Sequence, residues 1–272
     1  MQQMKKAVQL IILFLISNTL LAQNAFEVAF EKDPNISDRN GIPTSNESNY
    51  IPIIDATEVK HYYINGGEYK LIDEINLDLF VGEFGKENIK DSVFHHRIDP
   101  INQRIFSKYL LVFDEPVLHN YYLSRDIIRF TYIPAFDHPI VIKLENRKDS
   151  SLLTVKILDY KISDSIIVSA YRGDISLIST CDNHAEWIAN KQTLIDASKF
   201  ETLLKLINNL NFKDEVPFNN IVYGLDGADW IIEVHNQTGY YYNYRWSPQL
   251  DSTIRKVADY LIGISELSEH FY

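Results

Sequence analysis

Cysteine is almost absent from this 272-residue chain. Cys181 stands alone, so no intramolecular disulfide is available and the fold must be held by core burial. Positive charge is also scarce: 26 Lys and Arg face 37 Asp and Glu. That balance argues against nucleic acid and against anionic membrane surfaces, both of which call for basic patches. Long apolar runs are missing after residue 22, and a membrane-spanning helix takes about 20 apolar residues. No Gly-x-Ser-x-Gly elbow, phosphate-binding Gly-rich loop or His-Glu-x-x-His pair occurs. His95 and His96 are adjacent and would point opposite ways on a strand, while His184, Asp182 and Glu186 find no further ligand at a recognisable spacing. No metal or other cofactor is expected, and no catalytic residue is assigned.

What is present begins at the N-terminus. Lys5 and Lys6 precede an uncharged apolar run, Ala7 to Ile16, and then Thr19-Leu20-Leu21-Ala22-Gln23. This order predicts a secretory signal peptide over 1–22, cut after Ala22. No Cys follows the run for lipid attachment, so the expected product is soluble, without a stable membrane anchor, and periplasmic or extracellular. The segment removed holds two lysines and no acid, which takes the net charge from −11 to −11 − 2 = −13. Residues 23–54 read as a flexible N-terminal segment, because 31–52 are rich in Pro, Asn, Ser and Asp. Asn35, Asn46 and Asn236 sit in Asn-x-Ser/Thr sequons.

Residues 55–272 read as a single domain. Ile105, Tyr109, Leu110, Val112 and Phe113 recur at helical spacing and predict a helix that stops before Pro116. Short runs rich in branched and aromatic residues follow at Ile127–Ile133, Pro139–Glu145, Leu152–Leu158, Ser165–Tyr171 and Ile175–Thr180, with turn residues between them. Short runs with tight turns predict an antiparallel meander. A helix over Asp196–Asn211, a hairpin of Ala228–His235 with Tyr240–Trp246, and a helix near Asp251–Leu267 complete the chain. The order predicts an α+β fold: an antiparallel sheet, meander plus C-terminal hairpin, with helices packed mainly on one face.

The hairpin carries the candidate binding residues: Asp226, Asp229, Trp230, Glu233, Arg245 and Trp246. A three-residue loop, Gln237-Thr238-Gly239, would pair Asn236 with Tyr240, Glu233 with Asn243 and Trp230 with Trp246. One face would then hold Trp230, Ile232, Val234, Tyr240, Tyr242, Tyr244 and Trp246. The other would hold Asp229, Ile231, Glu233, His235, Tyr241, Asn243 and Arg245. A four-residue loop would shift the register by one and set Trp230 against Arg245 as a cation–π pair instead. The polar face is either a solvated outer surface laced with ion pairs or a binding site. Asp229 and Glu233 lie roughly 13 Å apart by strand rise, wider than the roughly 5–9.5 Å used by paired glycosidase carboxylates.

Blocks within residues 105–265 resemble a family of exported bacterial proteins of unassigned function. They are Glu115-Pro116-Val117-Leu118, Ile128-Arg129-Phe130-Thr131-Tyr132 with Phe136 and Pro139-Ile140, Gly224-Leu225-Asp226-Gly227-Ala228-Asp229-Trp230-Ile231-Ile232-Glu233, and Arg245-Trp246-Ser247-Pro248. The Leu-Leu-Ala-Gln signal ending is similar to that of exported Bacteroidota proteins. The resemblance implies a Tyr-His pair where this chain has Tyr242-Asn243, and it implies no activity. The function expected is an exported binding or interaction module with a protein or small-molecule partner. The alternative is a secreted hydrolase using Asp226, Glu233 and Arg245.

Overall fold

The computed structural model describes residues 30–52, 61–65, 68–72, 100–210, 212, 227–267 and 271. Residues 1–22, His95, His96 and Asp226 lie outside these. Strands β1 (His61–Asn65) and β2 (Glu68–Ile72) form a small antiparallel pair. Then come α1 (Pro100–Val112), β3 (Ile127–Pro134), β4 (Ile140–Arg147), β5 (Ser150–Asp159), α2 (Asp164–Tyr171), a 3-10 turn (Ile175–Thr180) and β6 (Glu186–Ile195). Helix α3 (Ser198–Asn209), strands β7 (Ala228–Asn236) and β8 (Gly239–Trp246), and helix α4 (Thr253–Ser265) follow.

Six strands form one antiparallel sheet in the order β6-β5-β4-β3-β7-β8. The meander runs from β3 to β6, and the C-terminal hairpin adds to the free edge of β3. The α+β antiparallel architecture is thus the one the turn spacing predicts. Both faces of the sheet carry helices. On the second face, α3 seats Phe200, Leu203 and Ile207, and α4 seats Ile254, Val257 and Leu261, against Phe130, Ile142, Val155, Trp230 and Ile232. On the first face, α1 packs Phe106, Tyr109, Leu110 and Phe113 onto Ile133, Val141, Ile231 and Tyr244, flanked by α2 and the 3-10 turn. The sheet is therefore a middle layer, which is why its central strands are buried along nearly their whole length.

Two runs read as strands are helical. Ser165–Tyr171 belongs to α2 and Ile175–Thr180 to the 3-10 turn. A short run of Ile and Val suits a buried strand or a buried helical turn equally. Arg172-Gly173 ends α2: Gly173 adopts φ +112, and Gly173 and Asp174 donate their N–H groups to the Ala170 and Ser169 carbonyls. Edge strand β6 escaped the sequence reading because most of its side chains are exposed, which leaves no apolar alternation.

Residues 30–52 hold no helix or extended strand, as their composition suggests, yet they lie docked on the body. The buried Asn120 side chain takes Asp33 N–H at 2.8 Å and donates to Asp33 O and to Ser37 Oγ, each at 2.8 Å. Tyr50 N–H donates to Ser107 Oγ of α1 at 3.0 Å, and Gln103 donates to Ile51 O at 2.5 Å. With Tyr50 and Ile51 fully buried, the segment is a strap across the first face in place of a free tether.

Candidate functional site

The hairpin loop has two residues, Gln237 and Thr238, because Asn236 pairs with Gly239. The Asn236 side-chain oxygen accepts from Thr238 N at 2.9 Å and Gly239 N at 3.2 Å, a local turn that releases Gly239 into the strand. The register is thus one residue from the preferred expectation: Glu233 faces Tyr242 and Trp230 faces Arg245. One step exchanges every side chain of β8 between faces. Asp229, Ile231, Glu233 and His235 share the first face with Tyr240, Tyr242, Tyr244 and Trp246. Trp230, Ile232 and Val234 share the second with Tyr241, Asn243 and Arg245. Arg255 of α4 stands over the Trp230 ring at 4.4 Å, and Arg245 donates to Asn243 Oδ1 at 2.5 Å and Tyr244 O at 2.7 Å.

The first face carries a buried ionic network. Register places Lys143, Arg129, Glu233 and Tyr242 in one row across β4, β3, β7 and β8. Arg129 grips Glu233 through Nε and Nη2, each at 2.6 Å, and Tyr240 donates to the same carboxylate at 3.0 Å. Glu115, dipping from the segment after α1, stands 2.9 Å from Lys143 Nζ, 2.8 Å from Lys156 Nζ and 3.5 Å from Arg129. Burial would raise the Glu115 carboxyl, but these three cations outweigh it and hold it down to about 2. Lys156 also donates to Phe113 O at 2.6 Å and Asp114 O at 3.1 Å, closing the end of α1. Arg129, Glu115 and Glu233 are at most 3% exposed. A solvated outer face is therefore absent here, and the network is a structural pin.

His235 is a second pin. Its Nδ1 lies 2.7 Å from Leu118 O, and its Nε2 accepts Leu123 N–H at 3.1 Å. Those two bonds require the neutral ring with the proton on Nδ1. Burial pushes its pKa down to about 4, helped by the positive charges of Arg129 and Arg125 and opposed by the Leu118 carbonyl.

A cavity of about 530 Å³ lies between the β3, β7 and β8 ends, α1 and α2. Its floor holds Asp229, Tyr244 and Trp246, its walls Tyr109, Ile105 and Ile133, and its rim the exposed Phe136 and Val168. Tyr244 donates to Asp229 Oδ1 at 2.6 Å. Among the described residues no cation pairs with Asp229, and no donor reaches its Oδ2. Burial therefore pushes its carboxyl up to about 7, against the Tyr244 bond, which pulls it down. Burial likewise raises Tyr109 to about 12. Lys161 and Asp164, also at this cavity, are exposed and pair with each other at 3.2 Å.

No family model, curated protein or solved structure matches the chain.

The described parts of the last two blocks quoted from the sequence meet in space. Gly227 lies so close to Trp246 that a Cβ there would sit 2.5 Å from the indole. Ala228 and Ser247 exchange hydrogen bonds of 3.0 and 2.8 Å. Of the six candidate residues, Asp229 and Trp246 share the cavity. Glu233 belongs to the ionic network, Trp230 to the opposite core, and Arg245 to the opposite face. Asp226 lies outside the described residues. Tyr109, Tyr244 and Phe136 were not singled out as site residues. Their signal was faint, since aromatic residues serve sheet packing more often than ligands. The network had a clearer one: Arg129, Lys143 and Lys156 are lone cations inside apolar strands, and each demands a buried acid.

Proposed function

We propose that this chain is an exported binding module whose small-molecule ligand enters the cavity at the open end of the hairpin. The observation that carries this reading is Asp229: a half-buried carboxylate with no cation among the described residues, set among aromatic rings in a cavity of about 530 Å³. Small-ligand sites are concave and mostly apolar, with few polar groups that fix orientation. Export is supported by Lys5-Lys6, the apolar run after them and Ala22. The resemblance to exported Bacteroidota proteins fits the same address. A broad protein-docking role for the hairpin is less favoured, since helices and the strap cover most of both its faces.

The hydrolase alternative has weaker support. Glu233 is gripped twice by Arg129 and has no exposed surface, while Arg245 stands on the other face of the sheet. A general acid or base must reach the proton it transfers.

Two measurements test the proposal. Cell fractionation with N-terminal sequencing should find the chain outside the cytoplasm, beginning at Gln23. Thermal-shift screening of aromatic fragments should give stabilising hits on wild type that vanish in Val168→Trp, which blocks the rim. Hits of equal size on both proteins would place binding elsewhere.

A further inference from the structure

The chemistry of the cavity selects one class of ligand. Of the acids at the cavity, Asp164 is exposed and Asp229 is half-buried on the floor, where the described residues offer it one neutral donor, the Tyr244 hydroxyl at 2.6 Å. Among the described residues of the same face the buried carboxylates each have a cation: Glu233 has Arg129, Glu115 has Lys143 and Lys156, and Glu145 has Arg125 and Lys143. Asp229 is the exception, and it is the one that faces open space. An acid half withdrawn from water and left without a cation among the described residues carries a desolvation cost that a bound cation can offset.

The other walls fit the same occupant. Tyr109, Tyr244, Trp246 and Phe136 present aromatic surface around the carboxylate, and ring faces attract cations as well as apolar groups. An anion would find little to hold it: Lys161 is solvent-exposed and already paired with Asp164 at 3.2 Å. With Asp229 ionised, Asp229, Asp164 and Lys161 sum to −2 + 1 = −1 around the opening.

We propose that the cavity binds a small organic cation, a primary or secondary amine on an apolar body, with the Asp229 carboxylate as its counter-ion. This rests on the small-ligand reading above and adds the ligand's charge. Binding draws Asp229 into its ionised form and releases its proton, so affinity rises with pH. The other titratable groups facing the cavity are Tyr109, raised to about 12, and Tyr244, with Lys161 and Asp164 in their own pair. Of these groups, Asp229 is the one placed to change charge near neutrality, with its carboxyl at about 7.

The test is calorimetric titration of wild type and Asp229→Asn with 2-phenylethylamine, 2-phenylethanol and phenylacetate. At about pH 8 the amine should bind wild type at least about tenfold more tightly than the alcohol. From about pH 8 to about pH 5.5 amine affinity should fall about thirtyfold, as the ionised fraction of an acid titrating near 7 falls. Proton release, read from the dependence of the heat on buffer ionisation, should accompany amine binding and not alcohol binding. Asp229→Asn should bring the amine down to the level of the alcohol. Equal affinity for amine and alcohol, a retained amine advantage in Asp229→Asn, preference for phenylacetate, or no binding by any of the three overturns the inference. Fragment hits abolished by Val168→Trp would in those cases still support the small-ligand reading, so the two can fail separately.

Discussion

Arg129 and Glu233 occupy directly opposed positions on β3 and β7 and share two hydrogen bonds of 2.6 Å, with neither side chain exposed. Charges so placed are worth little as a stability gain over an apolar pair, but removing one partner strands the other. Glu233→Ala should therefore cost about 3–5 kcal/mol in urea unfolding. The double variant Arg129→Met with Glu233→Leu should recover part of that loss, since no unmatched guanidinium remains. A single-variant cost below about 1 kcal/mol would mean that the pair is effectively solvated.

His235 gives the fold an acid-side weakness. Its ordinary pKa is 6.5 and its folded value about 4. The unfolded chain thus takes up a proton on this ring over a range where the folded protein refuses it. The stabilisation is complete above 6.5 and drains as pH falls towards about 4. That span is worth about 3 kcal/mol. His235→Gln should be less stable at neutral pH and should lose this slope in a series of urea melts. Parallel pH curves for the two proteins would contradict the assignment.

Asp229 works in the opposite direction. Its carboxyl sits at about 7 in the fold against an ordinary 3.8, so the folded protein keeps a proton that the unfolded chain has released. Stability contributed in this way falls as pH rises from 3.8 to about 7. Asp229→Asn should melt a few degrees higher than wild type at about pH 8, with the gap closing towards about pH 4. Between about 4 and 6.5 the Asp229 and His235 slopes oppose each other, so the wild-type curve alone conceals both. An unchanged melting temperature in Asp229→Asn at high pH would show that the acid is well solvated.

Two glycines separate packing from backbone freedom. In Gly227→Ala the new methyl would lie 2.5 Å from the Trp246 ring and against Ser247 Oγ. We expect a loss of about 1–3 kcal/mol, typical of overpacking, and weaker ligand binding as Trp246 is displaced. In Gly263→Ala, on the exposed side of α4, the methyl meets nothing within 4 Å. That substitution should stabilise by about 0.5–1 kcal/mol through helix propensity. Thermal melts of the pair check both signs.

Strands β3, β4 and β5, the hairpin and the helices at α1, α3 and α4 were legible in the sequence because their apolar patterns are clear and bounded by turn residues. The hairpin faces were not. Their assignment hung on one residue of loop length, and the Asn236 side chain, by closing the turn itself, makes two loop residues sufficient. This moved Trp246 and the tyrosines alongside Asp229 and set Arg245 on the far side. The cavity was also beyond reach, because its walls come from α1, α2 and the β3–β4 turn, and no local pattern reports how distant segments meet. The charged network was half legible: its cations interrupt apolar strands, while Glu115 lies in an irregular segment that periodicity does not place.

The strap over residues 30–52 has a kinetic consequence. Its anchors lie far along the chain: 87 residues separate Asp33 from Asn120, 70 separate Asn49 from His119, and 57 separate Tyr50 from Ser107. The strap holds no helix or extended strand of its own and docks on residues of the body, so its contacts are expected to form after the segments that receive them have been built. Weakening the strap should therefore speed unfolding and leave the refolding rate nearly untouched. The strap thus acts as a latch on the lifetime of the folded protein, closing last and opening first.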